Sequence, residues 1–488
     1  AEMSSSNKEY LPYFNIIYAI GNRCEFGYKN SLPWKGIKED MERFKSITSK
    51  VCDTKKKNII IMGRNTFSSM NYNPLPGRIN IIICTKSVSF NSEGTVFFAD
   101  NLTCALQTAG KLIENKLGEN VFVIGGVNLL YESVLHPRLE YIYQTIITSS
   151  VELKADIFFK PQWNFSEVST VKIQTISTDS YVLEFSDMKM SRYNHPENAY
   201  LSLCQHILSV GKEKQDRTKT GTISVWGETF RLPMHEKGFP LLTTKTVFMK
   251  GILAELLFFL SGKTQTKILE EKNVNIWKGN TSREFLDKNG FGNYVEGELG
   301  PGYSHQWRHF GALKTANEQL ELGQGGIDQI KYVIEGIKKV IADPEDPIGR
   351  RLVVSAWNPS DLAKTVLVPC HYSFQFSVEG SLLNCLVNMR SGDCFLGIPF
   401  NIASYSLLTY MICHLVGLTP GTLVFSIADA HIYSNHIDAV KLQISRPPRE
   451  WPTLKLIDPP HNIDEFTEEH IQLINYFPHP SIKAPMAV

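Results

Sequence analysis

The chain has 488 residues, of which 43% are hydrophobic, 20% charged and 11% aromatic, a composition that excludes extensive disorder, a collagen-like chain and a coiled-coil rod. Lysine and arginine together number 50 against 49 aspartates and glutamates, so the net charge is +1. This balance excludes the strongly positive field of a dedicated nucleic-acid-binding protein. The length predicts about three domains.

The nine cysteines show no CxxC spacing, which argues against a zinc ribbon, and the chain opens without the apolar core of a signal peptide. We therefore expect a reducing, cytoplasmic compartment, no disulfide scaffold and no metal site.

Before residue 190, short runs rich in isoleucine and valine alternate with amphipathic stretches. The predicted strands cover residues 14–20, 58–62, 79–84, 121–124, 141–148 and 181–185, and the clearest predicted helices cover residues 39–48 and 102–116. This alternation predicts an α/β domain with helices on the faces of a sheet. Because the sequence then becomes polar and loses its periodicity, we predict a first domain over residues 10–187, a junction over 188–194 and a second domain over 195–488.

Asp40 is the notable acid of the first predicted helix. At helical spacing it shares a stripe with Ile37 and Phe44, and also with Arg43. A carboxylate in apolar surroundings has a raised pKa and can donate a proton near neutral pH. The alternative is an ordinary surface acid paired with Arg43, and the spacing alone leaves both open.

Two glycines, Gly125 and Gly126, end the strand over residues 121–124 and precede a helical segment. Glycines there let the backbone approach a ligand and let a helix N-terminus face a phosphate, although a tight turn alone would also need them. Arg64 and Arg78 each lie at the edge of a predicted strand, where an arginine is either solvated or binds an anion. No GxGxxG or Walker A motif follows any strand, so a standard dinucleotide or P-loop site is not predicted.

The order of these features resembles dihydrofolate reductases. The matching positions, between residues 14 and 185, are Ala19, Gly21, LPW at 32–34, Asp40, Phe44, MGRNTF at 62–67, LPGR at 75–78, VIGG at 123–126, Tyr131 and Thr145. The resemblance implies a mixed central sheet with flanking helices. It also implies NADPH-dependent reduction of dihydrofolate, with a hydride delivered to C6 of the pterin and a proton to N5.

The same resemblance assigns roles to these residues. Asp40 would bind the amidine edge of the pterin and promote its protonation, and Thr145 would support that edge through water. The other implied dihydrofolate contacts are Ile17, Trp34, Phe44 and Ile124 around the pterin, and Arg78 at the glutamate α-carboxylate. The implied NADPH contacts are Ala19, Gly63, Arg64, Thr66, Gly125, Gly126 and Tyr131. The family often has Ser/Thr-Arg after the 79–84 strand to hold the 2′-phosphate, and this chain has Cys84, Thr85 and Lys86, so selectivity for NADPH rests on Arg64 and Lys86.

From residue 195 onward, the pattern predicts an α+β domain without internal repeats. We predict an apolar helix over residues 247–260 that stops at Gly262, polar loops over 278–302 and 311–327, and strands over 351–355, 371–378 and 382–388. Residues 394–428 carry no formal charge, but prolines, glycines and polar residues interrupt them. A buried helix near residues 402–416 is therefore favoured over a membrane span.

Cys370 begins a predicted strand in an uncharged stretch. A cysteine there is either a small buried hydrophobic residue or a thiolate nucleophile, which requires cationic neighbours. Glu255 lies within an apolar helical stripe that contains Ile252, Phe258 and Phe259. Because an unpaired glutamate is rarely placed there for structural reasons, a functional role is favoured.

Four arginines could supply the positive charge: Arg217, Arg350, Arg351 and Arg390. Clustered arginines would hold a phosphate dianion, whereas scattered ones would be ordinary surface residues. On a strand, Arg350 and Arg351 would point to opposite faces. Both could serve one site only at a bend or at a subunit boundary.

The second part of the chain closely resembles thymidylate synthases. The matching segments are DRTKTG (216–221), FPLLTTK (239–245), ELLFFLSG (255–262), IW (276–277), LGPGYSHQWR (299–308), RRLVVSAWNP (350–359), PCH (369–371), RSGDCFLGIPFNIASY (390–405), AHIYSNH (430–436) and HPSIKAPMAV (479–488). The resemblance implies conversion of dUMP to dTMP, with 5,10-methylenetetrahydrofolate as the cosubstrate that gives both the carbon and the hydride.

Roles follow from this resemblance residue by residue. Cys370 would attack C6 of uracil, Glu255 would order the water network for proton transfers, and Tyr303 would assist removal of the C5 proton. The implied dUMP contacts are Arg217, Arg390 and Ser391, with Arg350 and Arg351 from a partner subunit, at the phosphate, Asn401 at the uracil, and His431 and Tyr433 at the ribose. The implied folate contacts are Asp393, Trp277 and the C-terminal segment. An obligate homodimer is thus implied.

This chain departs from the synthase pattern at Met389, Gly392 and Lys219, where Gln, Cys and Gly are usual. We expect activity to survive with altered local packing. Together, the two resemblances imply a bifunctional enzyme of the kind found in protozoa and plants, and the short junction favours the protozoan type. The alternative is a folate- or nucleotide-binding regulator that binds messenger RNA, but it would need a degraded site or a basic, aromatic-rich surface. A membrane or nucleic-acid partner is not expected.

Overall fold

The computed structural model describes residues 11–85, 95–162, 168–191, 195–216 and 219–485. The chain folds into two compact units, Ala1–Tyr193 and Asn194–Val488. Each unit has its own sheet and its own hydrophobic core. The predicted domain limits at residues 187 and 195 stay a prediction, and one strand, Tyr181–Met190, continues three residues into the predicted junction.

The first unit contains ten strands and four helices among its described residues. In chain order these are β1 Phe14–Gly21, β2 Glu25–Gly27, α1 Lys38–Ser49, β3 Lys57–Gly63, α2 Arg64–Ser69, β4 Ile79–Ile83, β5 Val96–Ala99, α3 Leu102–Glu114, β6 Gly118–Gly125, α4 Val127–Val134, β7 Leu139–Ser149, β8 Ile157–Phe158, β9 Val168–Ser177 and β10 Tyr181–Met190.

Eight of these strands form one mixed sheet in the order β5-β4-β3-β6-β1-β7-β10-β9. The strands from β5 to β7 in this order are parallel, whereas β10 runs antiparallel to β7 and β9. The isoleucine run of β3 is fully buried, as expected for a parallel strand covered on both faces. The predicted α/β arrangement is confirmed. Strands β5 and β9 were not predicted, and β9 is an edge strand whose side chains are mostly exposed, so it shows no clear core face.

The second unit is a mixture of helices and mostly antiparallel strands. In chain order its elements are α5 Asn198–Val210, β11 Lys212–Lys214, β12 Thr222–Pro233, α6 Met249–Leu260, α7 Lys267–Glu270, α8 Arg283–Lys288, α9 Tyr303–His309, α10 Gln329–Ala342, β13 Val353–Ser355, β14 His371–Glu379, β15 Leu382–Asp393, α11 Gly397–Val416, β16 Thr419–Tyr433, α12 Ile437–Ile444, β17 Thr453–Leu456 and β18 Ile471–Ile474. Six strands form a sheet in the order β11-β12-β16-β15-β14-β13, in which β15 and β16 are parallel.

Helix α11 forms the centre of the second core. Ile402, Leu407 and Leu408 are fully buried, and the helix ends at Gly417, whose φ of 76° is the left-handed conformation that glycine adopts at helix ends. The predicted buried helix is therefore confirmed. Among the described residues, no helix is long and apolar enough to cross a membrane.

Two predictions for the second unit are wrong. The segment 278–302 is not only loop, because it contains α8, whose N-terminus is capped by the Ser282 side chain accepting from the Phe285 amide. Arg350 and Arg351 do not lie on a strand: Arg350 ends the 3₁₀ helix Pro347–Arg350 and β13 begins only at Val353. The two arginines therefore do not point to opposite faces of a strand, since Arg350 lies in the 3₁₀ helix and Arg351 directly follows it.

Candidate active sites

A cleft of about 1430 Å³ opens in the first unit, where β1, β3 and β6 reach their carboxyl ends. This is the edge of a parallel sheet at which ligands bind in open α/β folds. Most of the predicted contact residues line the cleft: Ile17, Ala19, Asp40, Phe44, Gly63, Arg64, Thr66, Arg78, Ile124, Gly126 and Thr145. The structure thus brings together residues that are up to 128 positions apart in the sequence, from Ile17 to Thr145.

Asp40 lies in the first turn of α1 and is partly buried at the wall of the cleft. Burial raises the pKa of its carboxyl group, and the opposing effects come from the Thr145 hydroxyl, which donates to the carboxylate, and from the charge of Arg43. Arg43 forms its ion pair with Asp187 of β10, at 2.7 Å. The arrangement therefore favours a functional acid over a surface acid whose partner is Arg43.

Glycines lie at the part of the cleft that fits a dinucleotide: Gly63 and Gly126 line it, and Gly125 directly precedes Gly126. Gly125 ends β6 with a φ of 134°, which is unfavourable for other residues, and Gly126 is the N-cap of α4. A Cβ on Gly63 would lie 3.5 Å from the Gly126 nitrogen, and a Cβ on Gly125 would lie 3.5 Å from the Thr66 hydroxyl oxygen. Side chains at these positions would fill the space beside the starts of α2 and α4. The residues present therefore suit the close backbone approach of a phosphate-bearing cofactor.

Other predicted contacts lie elsewhere in this unit. Trp34 is buried against Ile37 in a separate apolar cluster, and the Tyr131 hydroxyl accepts from the Lys160 amide at 2.9 Å. Cys84 and Thr85 follow β4, and Lys86 lies outside the described residues. Of the residues that the structure describes here, Trp34, Cys84, Thr85 and Tyr131 are not among those that line the cleft.

Arg78 is buried although it reaches the cleft. Its Nη1 donates to the Thr48 hydroxyl at 2.8 Å, its Nε donates to the Pro76 carbonyl at 3.0 Å, and burial lowers the pKa of its guanidinium group. Because these two hydrogen bonds fix the buried guanidinium at the cleft, Arg78 is suited to bind a carboxylate that enters it.

In the second unit, Cys370 directly precedes β14 and contacts two residues that were also predicted for this site. Nη2 of Arg390 lies 3.6 Å from the Cys370 sulfur, and the Tyr303 hydroxyl accepts from the Cys370 amide at 2.8 Å. Arg390 also donates to the Val368 and Pro369 carbonyls, which fix the guanidinium in position. A fixed cation beside a partly exposed thiol is the environment of a nucleophilic cysteine, not of a buried structural one.

Glu255 and Tyr303 face the same region. Trp277 donates from Nε1 to the Glu255 carboxylate at 2.8 Å, and burial raises the pKa of Glu255 to about 7. The centre of the Phe259 ring lies 5.0 Å from that of Tyr303 and 6.5 Å from that of Trp277. The pKa of Tyr303 is raised by burial and by Cys370 and Glu255, so the predicted nucleophile, acid and hydroxyl are electrostatic neighbours.

His371 was not singled out from the sequence. Its ring stacks on that of Tyr303 with centroids 4.2 Å apart, and its Nδ1 is hydrogen-bonded to the Tyr405 hydroxyl. Burial lowers its pKa to about 3, so the imidazole is neutral. The sequence did offer one signal for His371, because it directly follows the predicted nucleophile Cys370 and begins β14.

The remaining predicted residues of the second unit that the structure describes lie on α11, on β15 and β16, and on the segment before β13. Asn401 on α11 lies with its amide 4.0 Å from the Met389 sulfur, and Asp393 accepts from the backbone amides of Phe395 and Leu396. Ser391 of β15 lies opposite Asp429 in the register of β15 with β16. On β16, the ring centres of His431 and Tyr433 are 5.3 Å apart. Arg350 and Arg351 are exposed on their turn, and Arg217 lies outside the described residues.

The sequence departures have local structural counterparts. Lys219 has a φ of 60°, the left-handed conformation that explains why glycine is usual there. A Cβ on Gly392 would lie 3.0 Å from Ile398 and 3.1 Å from Ile427, so these neighbours occupy the room that a side chain would need. Within the described parts of the chain, no group of three or more His, Cys, Asp or Glu side chains could hold a metal ion.

Comparisons with known proteins match both units. The family model for dihydrofolate reductase matches residues 13–192, and that for thymidylate synthase matches residues 198–488. A bifunctional dihydrofolate reductase-thymidylate synthase of Zea mays is 40% identical over 97% of each chain. Proteins of the same name from Paramecium tetraurelia and Leishmania major are 39% and 37% identical and cover 97% and 98% of this chain, and 99% and 96% of their own.

Proposed function

Because the chain belongs to the bifunctional dihydrofolate reductase-thymidylate synthase family, we propose that Asp40 and Cys370 carry its two reactions. The synthase domain converts dUMP to dTMP with 5,10-methylenetetrahydrofolate, and the reductase domain reduces the resulting dihydrofolate to tetrahydrofolate with NADPH. The observation that carries the residue assignment is the placement of the Arg390 guanidinium 3.6 Å from the Cys370 sulfur.

In the reductase domain, Asp40 holds the amidine edge of the pterin and favours protonation of N5. This role is supported by its burial at the wall of the cleft, which raises the pKa of the carboxyl group, as suits an acid that promotes proton transfer. Ile17, Phe44 and Ile124 supply the apolar walls of the pterin site, and Arg78 receives the glutamate α-carboxylate. Trp34 belongs to the same proposal as a pterin contact.

NADPH supplies the hydride when it is bound. Gly63, Gly125 and Gly126 would let its phosphates approach the backbone at the starts of α2 and α4, with Ala19, Thr66 and Tyr131 as further contacts. Arg64 would attract the 2′-phosphate, since Cys84 and Thr85 carry no positive charge. Lys86 is the second cation proposed for that group.

In the synthase domain, the Cys370 thiolate adds to C6 of dUMP and forms a carbon–sulfur bond. This addition makes C5 nucleophilic. C5 then bonds to the methylene carbon of the folate cosubstrate, while the bond from that carbon to N10 of the folate breaks and N10 takes up a proton. Glu255 and Tyr303 handle the C5 proton that must leave, which is consistent with the pKa of about 7 for Glu255. Loss of the C5 proton breaks the bond between the methylene carbon and N5 of the folate and leaves an exocyclic methylene group on C5. The freed tetrahydrofolate then transfers a hydride to this methylene group and becomes dihydrofolate, and the carbon–sulfur bond to Cys370 breaks to give dTMP.

The nucleotide contacts complete the proposal. Arg217, Arg390 and Ser391 bind the dUMP phosphate, Asn401 reads the uracil, and His431 and Tyr433 bind the ribose. Asp393 and Trp277 contact the folate. Arg350 and Arg351 are exposed on a turn, which supports their service to the phosphate of a partner subunit in a homodimer. The nine cysteines all lie in the described part of the chain and none is paired in a disulfide, which supports a reducing, cytoplasmic compartment.

Two variants of the full-length enzyme test the residue assignments. Cys370→Ala should lower dihydrofolate formation from dUMP by about 10³-fold or more and leave NADPH oxidation with dihydrofolate unchanged. Asp40→Asn should lower the second activity by about 10²-fold or more and leave the first unchanged. Cys52→Ala and Asp179→Asn, both at exposed positions, are the matched controls. Full synthase turnover in Cys370→Ala would contradict the nucleophile assignment.

A mixing experiment tests the homodimer. Cys370→Ala and Arg351→Met should each be inactive as synthases alone. Mixed and allowed to exchange subunits, they should regain activity, because one site of each mixed dimer has an intact cysteine and an intact partner arginine. Failure to regain activity despite subunit exchange, seen with differently tagged subunits, would remove the partner role of Arg351.

A further inference from the structure

Arg43 has a set of contacts that neither reaction requires by itself. Its guanidinium extends from α1 across β7 and β10, and its side chain is only 12% exposed. Nη1 donates to the Thr145 hydroxyl at 3.2 Å, and Nη2 donates to the Asp187 carboxylate at 2.7 Å. The guanidinium carbon also lies 4.8 Å from the centre of the Phe185 ring. These contacts fix the group firmly at the edge of the pterin cleft.

The contact with Thr145 constrains the direction of its hydroxyl hydrogen. A guanidinium only donates, so the Thr145 oxygen must accept from Arg43. The single hydroxyl hydrogen is then available to donate to Asp40, with which Thr145 is hydrogen-bonded. Asp187, Arg43, Thr145 and Asp40 thus form one chain of charge-assisted and neutral hydrogen bonds, which we name the Arg43 relay.

We infer that Arg43 is a positioning residue for dihydrofolate reduction, which orients the Thr145 hydroxyl toward Asp40 and, balanced by Asp187, sets the charge that Asp40 faces. This inference rests on the proposed role of Asp40. It also gives Asp187 a role in the reaction, because Asp187 acts on Asp40 through Arg43 and Thr145.

The charges around the relay determine the sign of the effect. The charged or titratable groups are Asp40 on α1, Glu140 and Tyr143 on β7, and Asp187 on β10. The pKa of Tyr143 is raised by burial and by Asp187 and Glu140, so Tyr143 stays neutral and adds no charge. Arg43 lowers the pKa of Asp40, and Asp187 offsets that effect because it neutralises Arg43. Removing Arg43 and removing Asp187 should therefore shift Asp40 in opposite directions.

The test is the pH dependence of NADPH oxidation with dihydrofolate, measured with the full-length enzyme. Proton delivery is lost as pH rises through the pKa of the acid that promotes it, so the midpoint of the activity curve reports on Asp40. Arg43→Met should move this midpoint to higher pH, and Asp187→Asn should move it to lower pH. Arg43→Met should also lower kcat/KM for dihydrofolate about 10-fold, as expected when the hydroxyl is no longer oriented. Arg43→Lys keeps the charge and should restore the midpoint of the unmodified enzyme.

Controls separate this inference from simpler explanations. Arg23→Met removes an arginine from an exposed pair with Glu152 in the same domain and should leave the midpoint unchanged. If Arg43→Met does not fold, Arg43→Lys and Asp187→Asn still test the relay. The midpoint of the activity curve should lie at lower pH in Asp187→Asn than in Arg43→Lys. Midpoints that move in the same direction, or that do not move, would overturn the inference. Full activity of Asp40→Asn would instead overturn the proposed role of Asp40.

Discussion

Glu255→Gln offers a quantitative test of the synthase site through protein stability. Glu255 is partly buried in the apolar face of α6, and its carboxylate accepts one hydrogen bond from Trp277. Burial raises its pKa from 4.5 to about 7. A group whose pKa is higher in the folded state stabilises the fold at low pH, and this contribution is lost as pH rises from the unfolded value through the folded one.

The magnitude follows from the shift of the pKa. At about 1.36 kcal/mol per unit, the rise from 4.5 to about 7 corresponds to at most about 3 kcal/mol of unfolding free energy at high pH, since Glu255 keeps part of its surface exposed. A glutamine carbonyl can accept the same hydrogen bond from Trp277 but carries no charge. Glu255→Gln should therefore match the unmodified enzyme in stability below pH 4.5 and exceed it by up to about 3 kcal/mol above pH 8.

Urea unfolding followed by tryptophan fluorescence measures this difference. Five of the seven tryptophans lie in the synthase domain, so the signal reports mainly on that domain. The difference between variant and unmodified enzyme cancels the titration of other groups, and Glu236→Gln, at an exposed position, should give a flat difference across pH. Synthase activity should fall in Glu255→Gln although stability rises. A difference that does not depend on pH, or a variant that is less stable at pH 8, would refute the reasoning.

Two further changes test the packing of the synthase domain by the same unfolding measurement. Arg308 is buried and forms ion pairs with Asp328 at 2.9 Å and with Asp464 at 2.7 Å. Arg308→Met should leave both carboxylates uncompensated and lower the unfolding free energy by about 3–5 kcal/mol. A loss below about 1 kcal/mol would contradict this account. A Cβ on Gly336 would lie 2.5 Å from Leu352, so Gly336→Ala should lower the unfolding free energy by about 1–3 kcal/mol. A Cβ on Gly279 would have no atom within 4 Å, so Gly279→Ala should leave stability unchanged. Equal effects of the two substitutions would show that the clash with Leu352 does not decide the outcome.

The sequence predicted elements well where each residue's environment repeats along the chain. The isoleucine run of β3 and the apolar face of α6 have a local period that reveals their burial. The edge strand β9 has no buried face, and its alternation is therefore absent. Helix α8 was missed although Ser282 directly precedes it and its side chain accepts from the amide of Phe285, three residues further on. A search for helix starts in the polar loop would have found this serine as an N-cap candidate.

The sequence by itself determined the two families, the reactions and the chemical types of the candidate residues, because these depend on the order of motifs along the chain. Only the tertiary structure decided which charges meet. Arg43 and Asp187 are 144 positions apart and Cys370 and Tyr303 are 67 apart, and no local pattern specifies such pairs. Their contacts depend on the order of strands in a sheet and on the burial that this order creates, which also raises the pKa values of Asp40 and Glu255.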